Sequence, residues 1–209
     1  MVNLSIQMKN IGYIKSPSIF NSLQMNLSYN GIYKIIGDNG TGKSTLFKVL
    51  NGELDWIKNK KIKIVLNGKK ISPFKNRDIV FIKDDFEGYL YLKPIEYIIY
   101  ITKLYKVNIN WEYIDFLFKD LGLNQYSHYL IKNLSQGNKQ KLAFICSVIL
   151  NRPLILFDEA FEHIDLKTIE YIKKNMRSFF ENNIILFTSH TQVIDDLADT
   201  KINLNTISN

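Results

Sequence analysis

Between Gly37 and Thr45 the chain reads Gly-Asp-Asn-Gly-Thr-Gly-Lys-Ser-Thr. This is the spacing G-x-x-x-x-G-K-[ST], which builds a phosphate cradle when it joins a strand to a helix. Gly37, Gly40 and Gly42 let the backbone of the loop, with Asp38, Asn39, Thr41 and Thr45, curl its N–H groups around phosphate oxygens, and the helix start adds a positive dipole end. Lys43 would then meet the β- and γ-phosphates of a nucleotide, while the Ser44 hydroxyl ligates magnesium. An ordinary glycine-rich turn is the rival reading, and the strand and helix patterns on either side weigh against it.

Leu154-Ile155-Leu156-Phe157 is an apolar run that ends in Asp158-Glu159, 115 residues after Lys43. Taken alone this marks a strand end. Beside a phosphate loop, the carboxylates take different roles: Asp158 holds magnesium or its water, and Glu159 faces an attacking water. Leu134-Ser135-Gln136-Gly137-Asn138-Lys139-Gln140 begins 24 residues before Asp158. Ser135 suits an N-cap, yet a hydroxyl and free N–H groups at a helix start also make a second anion site. Two anion sites suggest a nucleotide clamped between subunits.

The elements that must position these residues are legible as changes of period. Val2–Met8 and Ile19–Leu27 alternate like strands, and Ile32–Ile36 is an apolar strand running into Gly37. Thr41–Asn51 reads as a helix stopped by Gly52. Asn67-Gly68 joins the strands Ile62–Leu66 and Lys69–Ile71 in a tight hairpin, and Asp78–Ile82 is a further strand. From Phe81 to Tyr129, 13 of the 27 aromatics gather on helical patterns such as Pro94–Tyr105 and Trp111–Leu121, which reads as a helical insert. A helix at Gln136–Leu150, a strand at Leu154–Phe157, a helix at Leu166–Phe180 and a strand at Ile184–Phe187 complete a βαβα alternation, which implies a parallel sheet covered by helices.

At 209 residues, with 46% apolar and 22% charged side chains, the chain suits one globular domain and excludes a fibrous or disordered protein. The longest stretch without an acidic or basic residue, Ser16–Tyr33, is broken by polar residues and does not span a bilayer. Met1–Asn10 lacks the layout of a secretion signal, so an intracellular protein is expected. The single cysteine, Cys146, lies in the apolar run Leu142–Leu150 and reads as core. Of the net charge of +7, much falls in Lys58–Arg77, with eight basic residues and no acidic one. Solvated hairpin lysines are favoured over an anionic partner there, and no nucleic-acid partner is expected.

In their order along essentially the whole chain, these segments resemble the nucleotide-binding subunits of the ATP-binding cassette family. Leu134–Asn138 resembles the family's LSGGQ signature, departing at Gln136 and Asn138 but keeping Ser135 and Gly137, which in the family contact the γ-phosphate of ATP bound to the other subunit. By the same resemblance Tyr13, 30 residues before Lys43, takes the place of the aromatic that stacks on adenine, with plain packing as its alternative. Asp165 matches the aspartate that communicates across the dimer. Thr188-Ser189-His190 resembles the switch segment, whose histidine touches the γ-phosphate and helps to position water; His128 and His163 are left as surface or packing residues. The family has a glutamine where Asp84 stands, or Asp85 if the register moves by one. An aspartate there would still ligate magnesium, and its charge beside ATP would slow hydrolysis.

The resemblance implies an α/β fold: a P-loop NTPase core of parallel sheet and helices, an N-terminal antiparallel β subdomain and an inserted helical subdomain. It implies one ATPase domain over 1–209, with a core of about 1–83 and 134–209 and a helical subdomain of about 84–133. ATP and Mg2+ are the expected cofactors, Glu159, His190 and Lys43 the catalytic residues, and Ser44, Asp158 and Asp84 the metal contacts. The expected role is the ATPase of a transporter on the inner face of the cell membrane, working as a head-to-tail dimer with a polytopic membrane subunit on a separate chain. The short chain and the LSQGNKQKL form point towards export of peptides or drugs. The rivals are a soluble cassette ATPase that remodels a protein or nucleic-acid complex, and a nucleotide-binding regulator with little turnover.

Overall fold

The computed structural model describes residues 3–27, 30–53, 57–58, 61–71, 78–86 and 88–207. Two sheets form. One is antiparallel, in the order β2-β1-β5-β6, from β1 (Leu4–Tyr13), β2 (Phe20–Leu27), β5 (Lys61–Leu66) and β6 (Lys69–Ile71), with the short β4 (Ile57–Lys58) on the end of β1. Along β1, Leu4, Ile6 and Met8 point inward while Gln7 and Lys9 face solvent, the alternation of a sheet wetted on one side. Asn67 and Gly68 both have left-handed backbones, with φ of 53° and 74°, and close the β5–β6 hairpin as the sequence predicts. Lys61, Lys63, Lys69 and Lys70 are exposed on this hairpin. Lys60, Lys75 and Arg77 of the basic stretch, like Val2 of the first strand, lie outside the described residues.

The second sheet is parallel throughout, in the order β10-β3-β9-β8-β7: β3 (Gly31–Ile36), β7 (Ile79–Lys83), β8 (Leu154–Asp158), β9 (Ile184–Thr188) and β10 (Thr200–Asn203). All five residues of β8 and of β9 are buried, which accounts for their unbroken apolar runs. Leu154, Leu156, Ile184 and Leu186 enter the core shared with the antiparallel sheet and α1 (Lys43–Asn51), whereas Ile155, Phe157, Ile185 and Phe187 enter the core formed with the other helices. That second core holds Ile98 and Ile101 of α2 (Pro94–Tyr105), Leu117 and Phe118 of α3 (Trp111–Asp120), Phe144 and Cys146 of α4 (Gln136–Leu150), and Ile172 and Met176 of α5 (Leu166–Phe179). Cys146 is buried and free, and burial pushes its thiol pKa up.

Register brings the working ends of the strands level. Lys83 lies opposite Asp158, and Asp158 opposite Thr188. The C-terminal edge of the parallel sheet, where α/β folds collect ligands, therefore carries β8's carboxylate and β9's hydroxyl side by side.

Several elements differ from the sequence expectation, the short β4 among them. α1 starts at Lys43 and not Thr41, because Gly42 adopts φ 95° and serves as its N-cap. β1 continues to Tyr13, carrying that side chain toward α1. The strand β10 and the four-residue α6 (Leu204–Ile207) were not anticipated: β10 has one aliphatic residue, Ile202, and gives no period to read.

Phe144 anchors the helical core, its ring within 6.2 Å of the rings of Phe157, Phe161, Phe179 and Phe180. Replacing it by alanine should lower the unfolding free energy by about 3–5 kcal/mol, the usual cost of an emptied aromatic site. Urea unfolding followed by circular dichroism checks this.

Candidate nucleotide-binding and catalytic site

The loop from Gly37 to Gly42 leaves β3 at the sheet's C-terminal edge and enters α1. Thr41 N–H and Oγ1 both donate to the Asp38 carbonyl, at 3.3 and 2.9 Å, which curls the loop. Asp38 Oδ2 accepts from Asn205 Nδ2 at 2.8 Å, tying the loop to α6. Gly42 is required twice over: its φ is left-handed, and a Cβ there would lie 2.5 Å from Ile19 Cγ2 and 2.6 Å from the Phe20 ring. Lys43 Nζ donates to the Gly37 and Asp38 carbonyls at 2.8 and 3.1 Å, so its ammonium is folded over the loop's own backbone. No acidic residue lies in the first turn of α1, which leaves the positive end of the helix for an anion.

A cavity of about 290 Å³ opens above this loop. Asn39, Gly40, Gly42, Lys43, Ser44 and Thr45 line its floor, Tyr13 and Ile19 one side, and Glu159 and His190 reach it from beyond β8 and β9. Tyr13 Oη lies 3.0 Å from Thr45 Oγ1, so the tyrosine stands at the rim with its hydroxyl bound to the start of α1.

The carboxylates are set by Thr188. Its Oγ1 donates to Asp158 Oδ1 at 2.6 Å and accepts from Glu159 N–H at 3.1 Å, while its carbonyl also accepts from Glu159 N–H at 3.2 Å. These bonds hold Glu159 in a left-handed conformation, φ 55°, that costs a non-glycine residue about 1–3 kcal/mol. Asp158 stays buried in the sheet, and Glu159 turns out to the cavity. There His190 Nε2 lies 2.8 Å from Glu159 Oε1, which places a proton on Nε2. Sequence reasoning had singled out His190 but not Thr188, whose sole signal is its place at the end of an apolar strand.

Ser135, Gly137 and Asp165 do not line this cavity; they cluster at the starts of α4 and α5. Ser135 Oγ accepts from Asn138 N–H at 3.2 Å as the N-cap of α4. A Cβ on Gly137 would lie 2.4 Å from the His163 carbonyl, so glycine permits the close approach of the two segments. Asp165 caps α5 through Thr168 N–H at 3.0 Å and pairs with Lys141 Nζ at 2.6 Å. The Lys141 ammonium, with the Thr168 bonds, lowers the Asp165 pKa to about 2. The pair therefore contributes fully above the ordinary carboxylate pKa and is lost as pH falls toward 2; because the aspartate is more than half exposed, solvent screening keeps that contribution small.

Asp84 is exposed and also stands apart from the cavity lining. Its carbonyl accepts from Gln136 Nε2 at 2.7 Å and from the buried Gln140 Nε2 at 3.0 Å, and Gln140 Oε1 in turn accepts from His163 N–H. Asp85 Oδ1 makes a longer contact with Gln136, 3.4 Å. Gln140 thus ties the segment after β7 to the segment after β8, a role that sequence reasoning missed. Among the described residues no group of three or more His, Cys, Asp or Glu could hold a metal. The Ser44 hydroxyl and the Asp158 carboxylate are hard oxygen donors that suit magnesium when phosphate oxygens and water complete the shell.

Residues 20–162 match the family model described as ABC transporter, and the chain belongs to that family. It is 29% identical over 91% of its length to the cytochrome c biogenesis ATP-binding export protein CcmA of Reclinomonas americana, covering 86% of that protein. It is 28% identical over 87% of its length to the lantibiotic transport ATP-binding protein SrtF of Streptococcus pyogenes, covering 78% of it. Its fold superposes on a solved ATP-binding subunit of an ABC transporter with a TM-score of 0.80 at 20% identity, over 95% of this chain and 85% of that one. The protein is thus an ABC transporter ATP-binding subunit, and the family implies ATPase activity. No helix among the described residues is long and apolar enough to cross a membrane.

Lys43→Ala removes the one ammonium that lines the cavity among the described residues. It should abolish measurable ATP binding in a fluorescent-nucleotide titration. Unchanged affinity and turnover would defeat the assignment of the loop.

Proposed function

We propose that the protein hydrolyses ATP at the Gly37–Thr45 loop as one half of a head-to-tail dimer, and so powers export of peptide or drug-like substrates through a polytopic membrane subunit on a separate chain. The carrying observation is the Glu159–His190 pair, facing the phosphate loop across one cavity. In this reading Tyr13 stacks on adenine, Lys43 exchanges its loop carbonyls for phosphate oxygens, and the N–H groups of the loop hold the remaining phosphate charge. Ser44 and Asp158 would hold Mg2+, which supplies charge neutralisation at the phosphates. Asp84 would approach it from the end of β7. Glu159 orients and polarises the attacking water, and His190 holds that carboxylate in place.

Ser135, Gly137 and Asp165 do not line their own subunit's cavity, and a dimer would present them to the nucleotide of the other subunit. ATP would close that dimer and hydrolysis release it, a rigid-body movement passed to the membrane subunit. The chain forms a single ATPase domain in this account, with a core of about 1–83 and 134–209 and a helical subdomain of about 84–133, lying on the inner face of the cell membrane.

For the membrane partner, support comes from the aromatic surface behind Asp84. Phe86, Gly88 and Tyr97 line a cavity of about 230 Å³ between β7 and the helices; the exposed Tyr100 ring stacks with Tyr97 and meets the exposed Tyr89, and Tyr91 is exposed two residues further on. Exposed tyrosines combine apolar area with a polar tip and suit a docking surface. The names of the relatives, an export protein and a lantibiotic transport protein, favour export and a peptide class of substrate.

Two outcomes are expected. Glu159→Gln should keep ATP binding, slow hydrolysis by at least ~100-fold as loss of a base or water-positioning group does, and trap an ATP-bound dimer visible by gel filtration. Normal hydrolysis would remove Glu159 from the mechanism. Among Tyr89→Ala, Tyr91→Ala and Tyr100→Ala, at least one should leave ATP binding intact and weaken co-purification of an integral membrane protein from native membranes. Recovery of a ribosomal or DNA-associated complex, with no membrane protein, would favour the soluble rival.

A further inference from the structure

We propose that Glu162 is a positioning residue for hydrolysis, fixing the backbone from which His190 reaches Glu159; this rests on the reading of His190 above. The pairing of β8 with β9 ends at Asp158 and Thr188, and after the bond from Glu159 N–H to the Thr188 carbonyl the two segments leave the sheet. On the β8 side a turn, with Glu162 N–H donating to the Glu159 carbonyl at 3.4 Å, carries Glu162 back toward its neighbour. There a single carboxylate oxygen, Glu162 Oε1, accepts from His190 N–H at 3.1 Å and from Ser189 Oγ at 3.1 Å.

The His190 side chain is 58% exposed, so packing does little to hold it. Its direction is set by the contact with Glu159 and by the backbone that carries it. Ser189 Oγ also accepts from Thr191 N–H at 3.1 Å, so Glu162 grips a locally folded turn and not a loose strand of chain. Two carboxylates therefore clasp the same histidine: Glu159 at the imidazole and Glu162 at the main chain. Glu162 does not line the nucleotide cavity and spends its oxygen on N–H and O–H donors, which separates it from a second general base. What the clasp requires of residue 162 is an acceptor at that reach, which glutamine supplies and alanine does not.

Steady-state ATPase assays on the full chain with MgATP test this, using E162A, E162Q, H190A and the double variant E162A/H190A. E162A should lower kcat about tenfold or more with KM held within about twofold, since displacement by an ångström at a reacting centre costs on this scale while ground-state binding is untouched. E162Q should recover activity to within about threefold of the parent, because its Oε1 still accepts. In the H190A background the E162A effect should vanish, as expected when one residue acts through the other. If E162A loses its cooperative melting transition, Glu162→Asp, which keeps the carboxylate and shortens its reach, replaces it with the same expectations. A kcat for E162A close to the parent, with H190A impaired, would overturn the inference and leave His190 standing. So would an E162A effect of equal size with and without His190. A silent H190A would sink the reading of His190 and the role of Glu162 together.

Discussion

The parallel pairing of β8 with β9 is the constraint on which the site depends. Both strands are buried on both faces, so their sequences stay apolar until the ladder ends, and the first polar side chains on each fall at the same level. Asp158 and Thr188 meet there, 2.6 Å apart, and this bond sets everything beyond it. Thr188 passes the constraint on to the Glu159 N–H, the left-handed turn at Glu159 aims its carboxylate at the phosphate loop, and His190 follows two residues after Thr188. A slip of one residue would turn every side chain of β9 to the opposite face and take the hydroxyl away from the carboxylate.

The second dependence is on glycine at the loop. Gly42 has no room for a Cβ against Ile19 and Phe20, two residues of the antiparallel sheet's entry. That sheet is therefore more than an appendage: it abuts the cradle from the side, and its first strand runs on to place Tyr13 at the rim of the cavity. The helical layer makes a comparable connection on the other side, where Gln136 and Gln140 hold the carbonyl of Asp84 and Gln140 also holds the segment after β8. The segments that follow β7 and β8 at the same sheet edge are thus linked to each other through the start of α4 by hydrogen bonds. A buried polar side chain such as Gln140, bonded at both its nitrogen and its oxygen, resists movement of any one of these segments alone.

The amino-acid sequence by itself determined the features built from neighbouring residues. Gly37–Thr45 announces a phosphate cradle because strand, loop and helix start are contiguous; the runs Leu154–Phe157 and Ile184–Phe187 announce buried strands because burial on two faces leaves no polar position; Asn67-Gly68 announces a hairpin because both residues accept positive φ. Ser135 was legible as a helix start for the same local reason, whereas the capping of α5 by Asp165 emerged with the structure. What the tertiary structure alone decided were the meetings between segments distant in sequence. Thr188 lies 30 residues from Asp158, Gln136 and Gln140 lie 52 and 56 from Asp84, and Glu162 lies 28 from His190. No period or spacing carries such pairs, since a single polar residue on a loop has many potential partners and the sheet register selects one. The edge strand β10 was hidden for the opposite reason: stabilised by its ladder with β3 and bearing little apolar surface, it leaves almost no hydrophobic pattern in its residues, although it brings Asn205 to Asp38 and so completes the cradle.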